Sequence, residues 1–264
     1  MSGNIRKFAS DTLGKKDIRS NVSEEEWRLR VELAAAYRLI SSYGWDDLIF
    51  THLSVRVPGP DHHFLLNPYD LMFEEITASS LVKVDFEGQP VLASQYRTNP
   101  AGFVIHSAIH MARDDAKCVM HLHTNCGQAV SAMEDGLLPL TQTAMTVTGD
   151  IAYHHYEGVA IDLDERERLV DDLGDKHTMI LRNHGTLTVG ETIGEAFLRL
   201  YFLERACVAQ VAAMSGGAAL NMPPQGSPEK VVGQVKDTFQ DLVEKLAWPA
   251  LLRKAERTDP SFMT

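Results

Sequence analysis

Two histidines of this chain stand where they could share one metal ion. In Val119-Met120-His121-Leu122-His123 an apolar run reads as a strand, and side chains alternate between the two faces of a strand. His121 and His123 therefore point the same way, while Met120 and Leu122 point into the opposite layer. Two imidazoles on one face can bind a divalent cation if a third ligand arrives from elsewhere. The best candidate is His184 in Ile180-Leu181-Arg182-Asn183-His184-Gly185, where a second apolar strand runs into a turn. The competing reading of the His-Leu-His pair is two hydrogen-bonded core residues, and spacing alone leaves both open.

The elements that must carry these residues follow from pattern. Ser23 with Glu26 three residues on is a capping box, starting a helix through Ala34, Tyr37 and Ile40 that stops near Gly44. Residues 50–57, 63–67 and 81–85 read as strands, with turns at Pro58-Gly59-Pro60 and Glu87-Gly88. Residues 102–113 form a helix with Ile105, Ala108, Ile109 and Ala112 on one stripe and His106 and His110 on another. A zinc-protease motif would need Glu beside the first of that pair, and Ser107 stands there. Residues 162–173 read as a charged surface helix stopped by Gly174, and residues 191–215 as a long amphipathic one. The division expected is a flexible arm over 1–22, one domain over 23–215, and a linker with a helical appendage over 216–264.

Composition narrows the function classes. A formal charge of −11 argues against binding nucleic acid or an anionic membrane. Cys118, Cys126 and Cys207 form neither a disulfide framework nor a zinc ribbon, and fit a reducing cytoplasm. No apolar run reaches the roughly 18 residues of a membrane span, and the N-terminus lacks a signal-peptide core. No P-loop or GxGxxG cradle is present.

The blocks NPAGFVIHSAIHMARDDAKCVMHLHT, ITASSLVKVD, AVSAMEDGLLPL, IAYHHYEG and ILRNHGTLTVG together resemble the class II aldolase/adducin family, nearest in wording to its adducin-head-like branch. The resemblance covers roughly residues 25 to 215, in order. It implies an α/β fold, a three-layer α/β/α sandwich around a mainly antiparallel sheet, usually assembled as a homotetramer with sites at subunit boundaries. It also implies that His121, His123 and His184 hold a divalent metal, zinc foremost, with manganese, cobalt or iron as alternatives.

The sequence departs from the family's aldolases in the acid–base set. The glutamate that moves the proton in those enzymes corresponds to Gly102. The serines that bind substrate phosphate fall on Pro100 and Ala101, the Thr-Gly of the phosphate turn falls near Tyr69 and Asp70, and an early loop Asn falls on His52. The tyrosine acid of some sugar aldolases lands near Gln142 or Thr143. A proline, an alanine and a carboxylate do not make a nest for a dianion. The remaining proton carriers near the site are His106, His154, His155 and Tyr156, of which His106 and Tyr156 are the candidate catalytic residues; each also reads as a structural residue.

Three functions are compatible with this. One is a metal-dependent lyase that cleaves or decarboxylates a small non-phosphorylated oxo- or hydroxy-acid. Another is a non-catalytic, adducin-like assembly module. The third is an oxygenase with three histidines around Fe(II). Intact ligands favour the first and third, and the missing glutamate favours the second. The lyase is placed first, with a small-molecule substrate and a homo-oligomer as partners. The long helix and the apolar tail around Trp248 and Leu252 support the oligomer, unless they pack within the chain.

Overall fold

A computed structural model describes residues 18–92, 94–98, 100–158 and 164–264, with residues 100–103 by backbone alone. The expected arm up to residue 17, the start of the helix expected from residue 162, and the side-chain surroundings of Pro100, Ala101 and Gly102 lie outside it. Helix α1 (Glu24–Ser42) starts as its cap dictates: the Ser23 hydroxyl accepts from the Glu26 N–H at 3.1 Å. Glu24, Glu25 and Glu26 then fill its positive first turn.

Seven strands form one sheet: β1 (His52–Arg56), β2 (Phe64–Leu66), β3 (Val82–Val84), β4 (Cys118–Leu122), β5 (Ile151–His154), β6 (Thr178–Leu181) and β7 (Gly185–Gly190). Their order is β3-β2-β1-β4-β7-β6-β5, and every pairing except the parallel β5–β6 is antiparallel. β4 is therefore interior, with β1 on one side and β7 on the other. Every residue of β4 is buried, as both faces are covered. One face carries Leu53, Met120 and Leu122 against α1 and α6 (Ile193–Ser215). The other carries Val119, Met179, Leu187 and Val189 against α2 (Pro100–Ala112) and α5 (Glu165–Leu173). Helices α3 (Asn125–Ser131) and α4 (Gln142–Thr148) join α6 over Ile180. The expected three-layer sandwich is thus observed, and among the described residues no helix is long and apolar enough to cross a membrane.

The residues after α6 return to the first helix. α7 (Ser227–Lys236) and the short α8 (Phe239–Asp241) lead through a π-helical stretch, Leu242–Ala247, into α9 (Trp248–Thr258). Trp248 is buried on Phe197, with ring centroids 5.6 Å apart, and its indole N–H donates to Glu32 at 3.1 Å. It sits over Gly194, where a Cβ would come within 2.7 Å of the indole. The Ala78 and Ser79 N–H groups donate to the carbonyls of Phe262 and Thr264. Much of the apolar face of α6, together with Trp248, is therefore packed within the chain, while Val208, Met214 and Leu246 remain exposed. Truncating Trp248 to Ala removes a buried indole from between three helices and should cost roughly 3–5 kcal/mol, read from urea unfolding at fixed protein concentration.

A polar cluster in the core lies under α2. His106 and His110 are both buried, one turn apart, against Ser54 of β1. Burial pushes His106 well below the ordinary imidazole value and His110 down to about 4. The unfolded chain titrates near 6.5, so below that pH it binds protons that the folded chain refuses, and stability falls with falling pH. Metal-free protein should lose stability from about pH 6.5 down to about 4, and His110→Gln should flatten that slope, measured by urea unfolding across the range.

Candidate metal centre

The HxH pair sits at the end of β4. His121 is the antiparallel partner of Leu187 on β7 and of His52 on β1, while His123 follows directly after the strand. His184 arrives on the turn between β6 and β7. Asn183 in that turn has φ 56, a left-handed conformation asparagine tolerates. Gly185 lets the turn close on β4, since a Cβ there would stand 2.3 Å from the Leu122 carbonyl oxygen and 3.1 Å from the His123 ring. The Asn-His-Gly order is therefore what this approach requires.

The result is a triangle of imidazoles. Ring centroids are 4.7 Å apart for His121–His123, 4.8 Å for His121–His184 and 4.7 Å for His123–His184. One nitrogen from each lies within 4.8 Å of the other two. Burial lowers all three pKa values, His121 well below the usual range and His184 to about 4, while Asp47 partly opposes the shift at His123. The rings are thus neutral, the form in which imidazole binds a cation.

The outer nitrogens of two of the rings are already engaged. His121 Nδ1 donates to the Thr186 carbonyl at 2.9 Å, and His123 Nδ1 donates to Asp47 Oδ2 at 3.2 Å. A neutral ring that donates through Nδ1 has a lone pair at Nε2. The two Nε2 atoms lie 2.9 Å apart, so two acceptors face each other. A cation between them resolves that repulsion, and a backbone or carboxylate acceptor behind each ring is the usual support for metal-ligating histidine. The donor set fits a divalent ion with an open position.

Sequence pattern did not single out these supports. Asp47 lies in a loop with Leu48 and Thr51 at φ 53 and 66, left-handed values that are unusual for side chains of their kind. Glu204 of α6, buried and with its pKa raised by burial, accepts from the hydroxyls of Thr124 and Thr186. It holds both the N-cap of α3 that follows the HxH and the residue whose carbonyl orients His121. A carbonyl acceptor has no sequence signature, and the Asp46-Asp47 pair matched no spacing rule.

The other expected residues divide. Tyr156 is 56% exposed, on the rim of a small cleft with Ile105, His154, His155, Glu157 and His184. His154 is held between Asp172 at 2.7 Å and Glu165 at 3.3 Å. His106 is fully buried with both nitrogens engaged, by His52 and by Ser54, so it stands behind the site and not in its mouth. Gln142 and Thr143 open α4, and Tyr69 and Asp70 follow β2.

Known proteins agree with this architecture. Residues 31–211 match the model of the class II aldolase and adducin N-terminal domain. A relative from Caulobacter vibrioides, provisionally named a class 2 aldolase protein, is 52% identical over 256 residues, covering 97% of this chain and 99% of its own. Mouse α-adducin is 44% identical over 207 residues, 77% of this chain but 27% of that longer protein. The crystal structure of an aldolase II superfamily protein from Pseudomonas syringae superposes with a TM-score of 0.87 at 50% identity, covering 94% of this chain and 99% of that one. With most of its length inside the family model and these relatives beside it, the chain belongs to the class II aldolase and adducin family.

Proposed function

We propose that this chain is a divalent-metal lyase that cleaves or decarboxylates a small, non-phosphorylated oxo- or hydroxy-acid, with the ion held by His121, His123 and His184. The observation that carries this is the pair of Nε2 lone pairs facing each other at 2.9 Å while both Nδ1 atoms donate elsewhere. A bound ion supplies Lewis acidity toward a carbonyl oxygen. Zinc is the ion proposed, and manganese, cobalt and iron suit the same donors. Asp47 and the Thr186 carbonyl would orient the His123 and His121 rings toward that ion, and Tyr156 at the rim is offered as a proton donor.

The absence of a phosphate nest supports the substrate class. At the family's phosphate positions stand Pro100, without an N–H, Ala101, without a hydroxyl, and Asp70, with a like charge. Two unit charges about 4 Å apart cost on the order of 4 kcal/mol at an effective dielectric near 20. Metal-loaded protein should turn over unphosphorylated hydroxy- or oxo-acids and leave fuculose and ribulose phosphates untouched. Efficient cleavage of a sugar phosphate in the same assay would sink the substrate class.

The second reading, an assembly module, is favoured by the identity to α-adducin together with Gly102 at the glutamate position. Metal stoichiometry separates the two. Protein purified without chelator and incubated with zinc, manganese or iron(II) should hold about one equivalent, lost in His123→Ala. Asp47→Asn should weaken binding roughly 10- to 100-fold, because the His123 ring loses its charged anchor. Wild-type protein staying below about a tenth of an equivalent would overturn the lyase.

A further inference from the structure

Behind the triangle a line of side chains runs from the site into the core beneath α2. His52 Nδ1 lies 2.8 Å from His106 Nε2, and His106 Nδ1 lies 2.7 Å from the Ser54 hydroxyl. The same hydroxyl lies 2.7 Å from His110 Nε2, and His110 Nδ1 lies 2.8 Å from the Ala116 carbonyl oxygen. Four hydrogen bonds join three neutral rings, one hydroxyl and one carbonyl. Each ring and the hydroxyl contribute one proton, so four protons serve four bonds.

The carbonyl settles the direction, because it only accepts. His110 must donate to it through Nδ1, which leaves His110 Nε2 as an acceptor. Ser54 must then donate to His110 and accept from His106 Nδ1–H. His106 Nε2 is thereby bare and must accept from His52 Nδ1–H. Any other arrangement leaves two acceptors or two donors facing each other inside the core, which is costly where no water can replace the partner. The line thus ends with His52 Nε2 carrying a lone pair.

That nitrogen has no hydrogen-bond partner among the described residues. The His52 ring lies 5.3 Å from that of His121, across the β1–β4 ladder. It stands beside the three-nitrogen group without joining it. As a bare imidazole nitrogen it is free to accept a hydrogen bond from a bound molecule.

Resting on the metal reading above, we propose that the Ala116–His110–Ser54–His106 line fixes His52 with its proton on Nδ1, so that His52 Nε2 accepts a hydrogen bond from a hydroxyl of the metal-bound substrate and selects α-hydroxy acids over their ethers. His52 is then the specificity-determining residue, while His106, Ser54 and His110 are positioning residues that act through it. The serine is the weak link. In Ser54→Ala, His106 Nδ1 loses its acceptor, the His106 proton is free to move to Nε2, and the His52 proton must then move to its own Nε2. Ser54→Thr keeps the hydroxyl and should keep the tautomer.

Two measurements on the full chain test this separately. Long-range proton–nitrogen correlation spectra of ¹⁵N-labelled, metal-free protein report which ring nitrogen carries the proton, with His52 assigned by the signals missing from His52→Asn. The expected result is His52 protonated at Nδ1 and bare at Nε2 in wild type and Ser54→Thr, and reversed or mixed in Ser54→Ala. Wild-type His52 protonated at Nε2 overturns the line, whatever the metal does and whether or not any serine variant folds.

Visible-absorption titration of cobalt(II)-loaded protein then compares glycolate with methoxyacetate. One neutral hydrogen bond should favour glycolate roughly three- to tenfold beyond the preference of aqueous cobalt, and Ser54→Ala should abolish that excess. No excess in wild type overturns the recognition role. Failure to bind cobalt at all, with the tautomer as expected, overturns the metal reading and the recognition role with it, but not the hydrogen-bonded line.

Discussion

The site depends on how closely the β6–β7 turn can approach the end of β4. Gly185 sets that distance, because its missing side chain is the space taken by the Leu122 carbonyl and the His123 ring. A larger residue would push the turn outward and carry His184 away from the other two imidazoles. The same approach brings the Thr186 carbonyl to His121 Nδ1 and the Thr186 hydroxyl to Glu204. One steric allowance therefore places one imidazole, orients a second, and ties the triangle to α6.

Charge is kept one layer away from the centre. The three inner groups are neutral rings, while Asp47 stands behind His123 and Glu204 behind the Thr124 and Thr186 hydroxyls. A cation held this way keeps most of its charge for whatever fills its open position, which a carboxylate ligand would have partly cancelled. A centre built from neutral donors in a chain of formal charge −11 also separates the charge of the surface from the chemistry of the interior.

The parts of the fold written in side-chain pattern were legible in the sequence. The Ser23–Glu26 cap, the same-face placement of His121 and His123, and the long helix after Glu191 all rest on local spacing, and local spacing survives folding. The position of His184 beside the pair was legible because an apolar strand ending in Asn-His-Gly marks a strand-to-turn junction. Long-range partners were not legible. Asp47 reaches His123 across 76 positions, and Ser54 reaches His110 across 56, so neither pair leaves a period to read. The face of α6 was visible as apolar, but what would cover it was not, because Trp248 meets Phe197 only in the folded chain. His106 shows the same limit: its helical position was clear, while the direction of its ring was decided by Ser54 and His52 on a strand far upstream.

The loop carrying Asp47 has a consequence for how the protein would sense its own occupancy. Leu48 and Thr51 hold left-handed backbone that costs roughly 1–2 kcal/mol for each such residue, and the Thr51 hydroxyl is buried without a partner among the described residues. The links that hold the loop in this shape include the Phe50 N–H to the Asp47 carbonyl and the Asp47 carboxylate to His123. The second of these strengthens when His123 is polarised by a cation and weakens when it is not. If a cation is bound at His123, the strained loop is therefore tied to it through Asp47, and filling the centre would stiffen that loop.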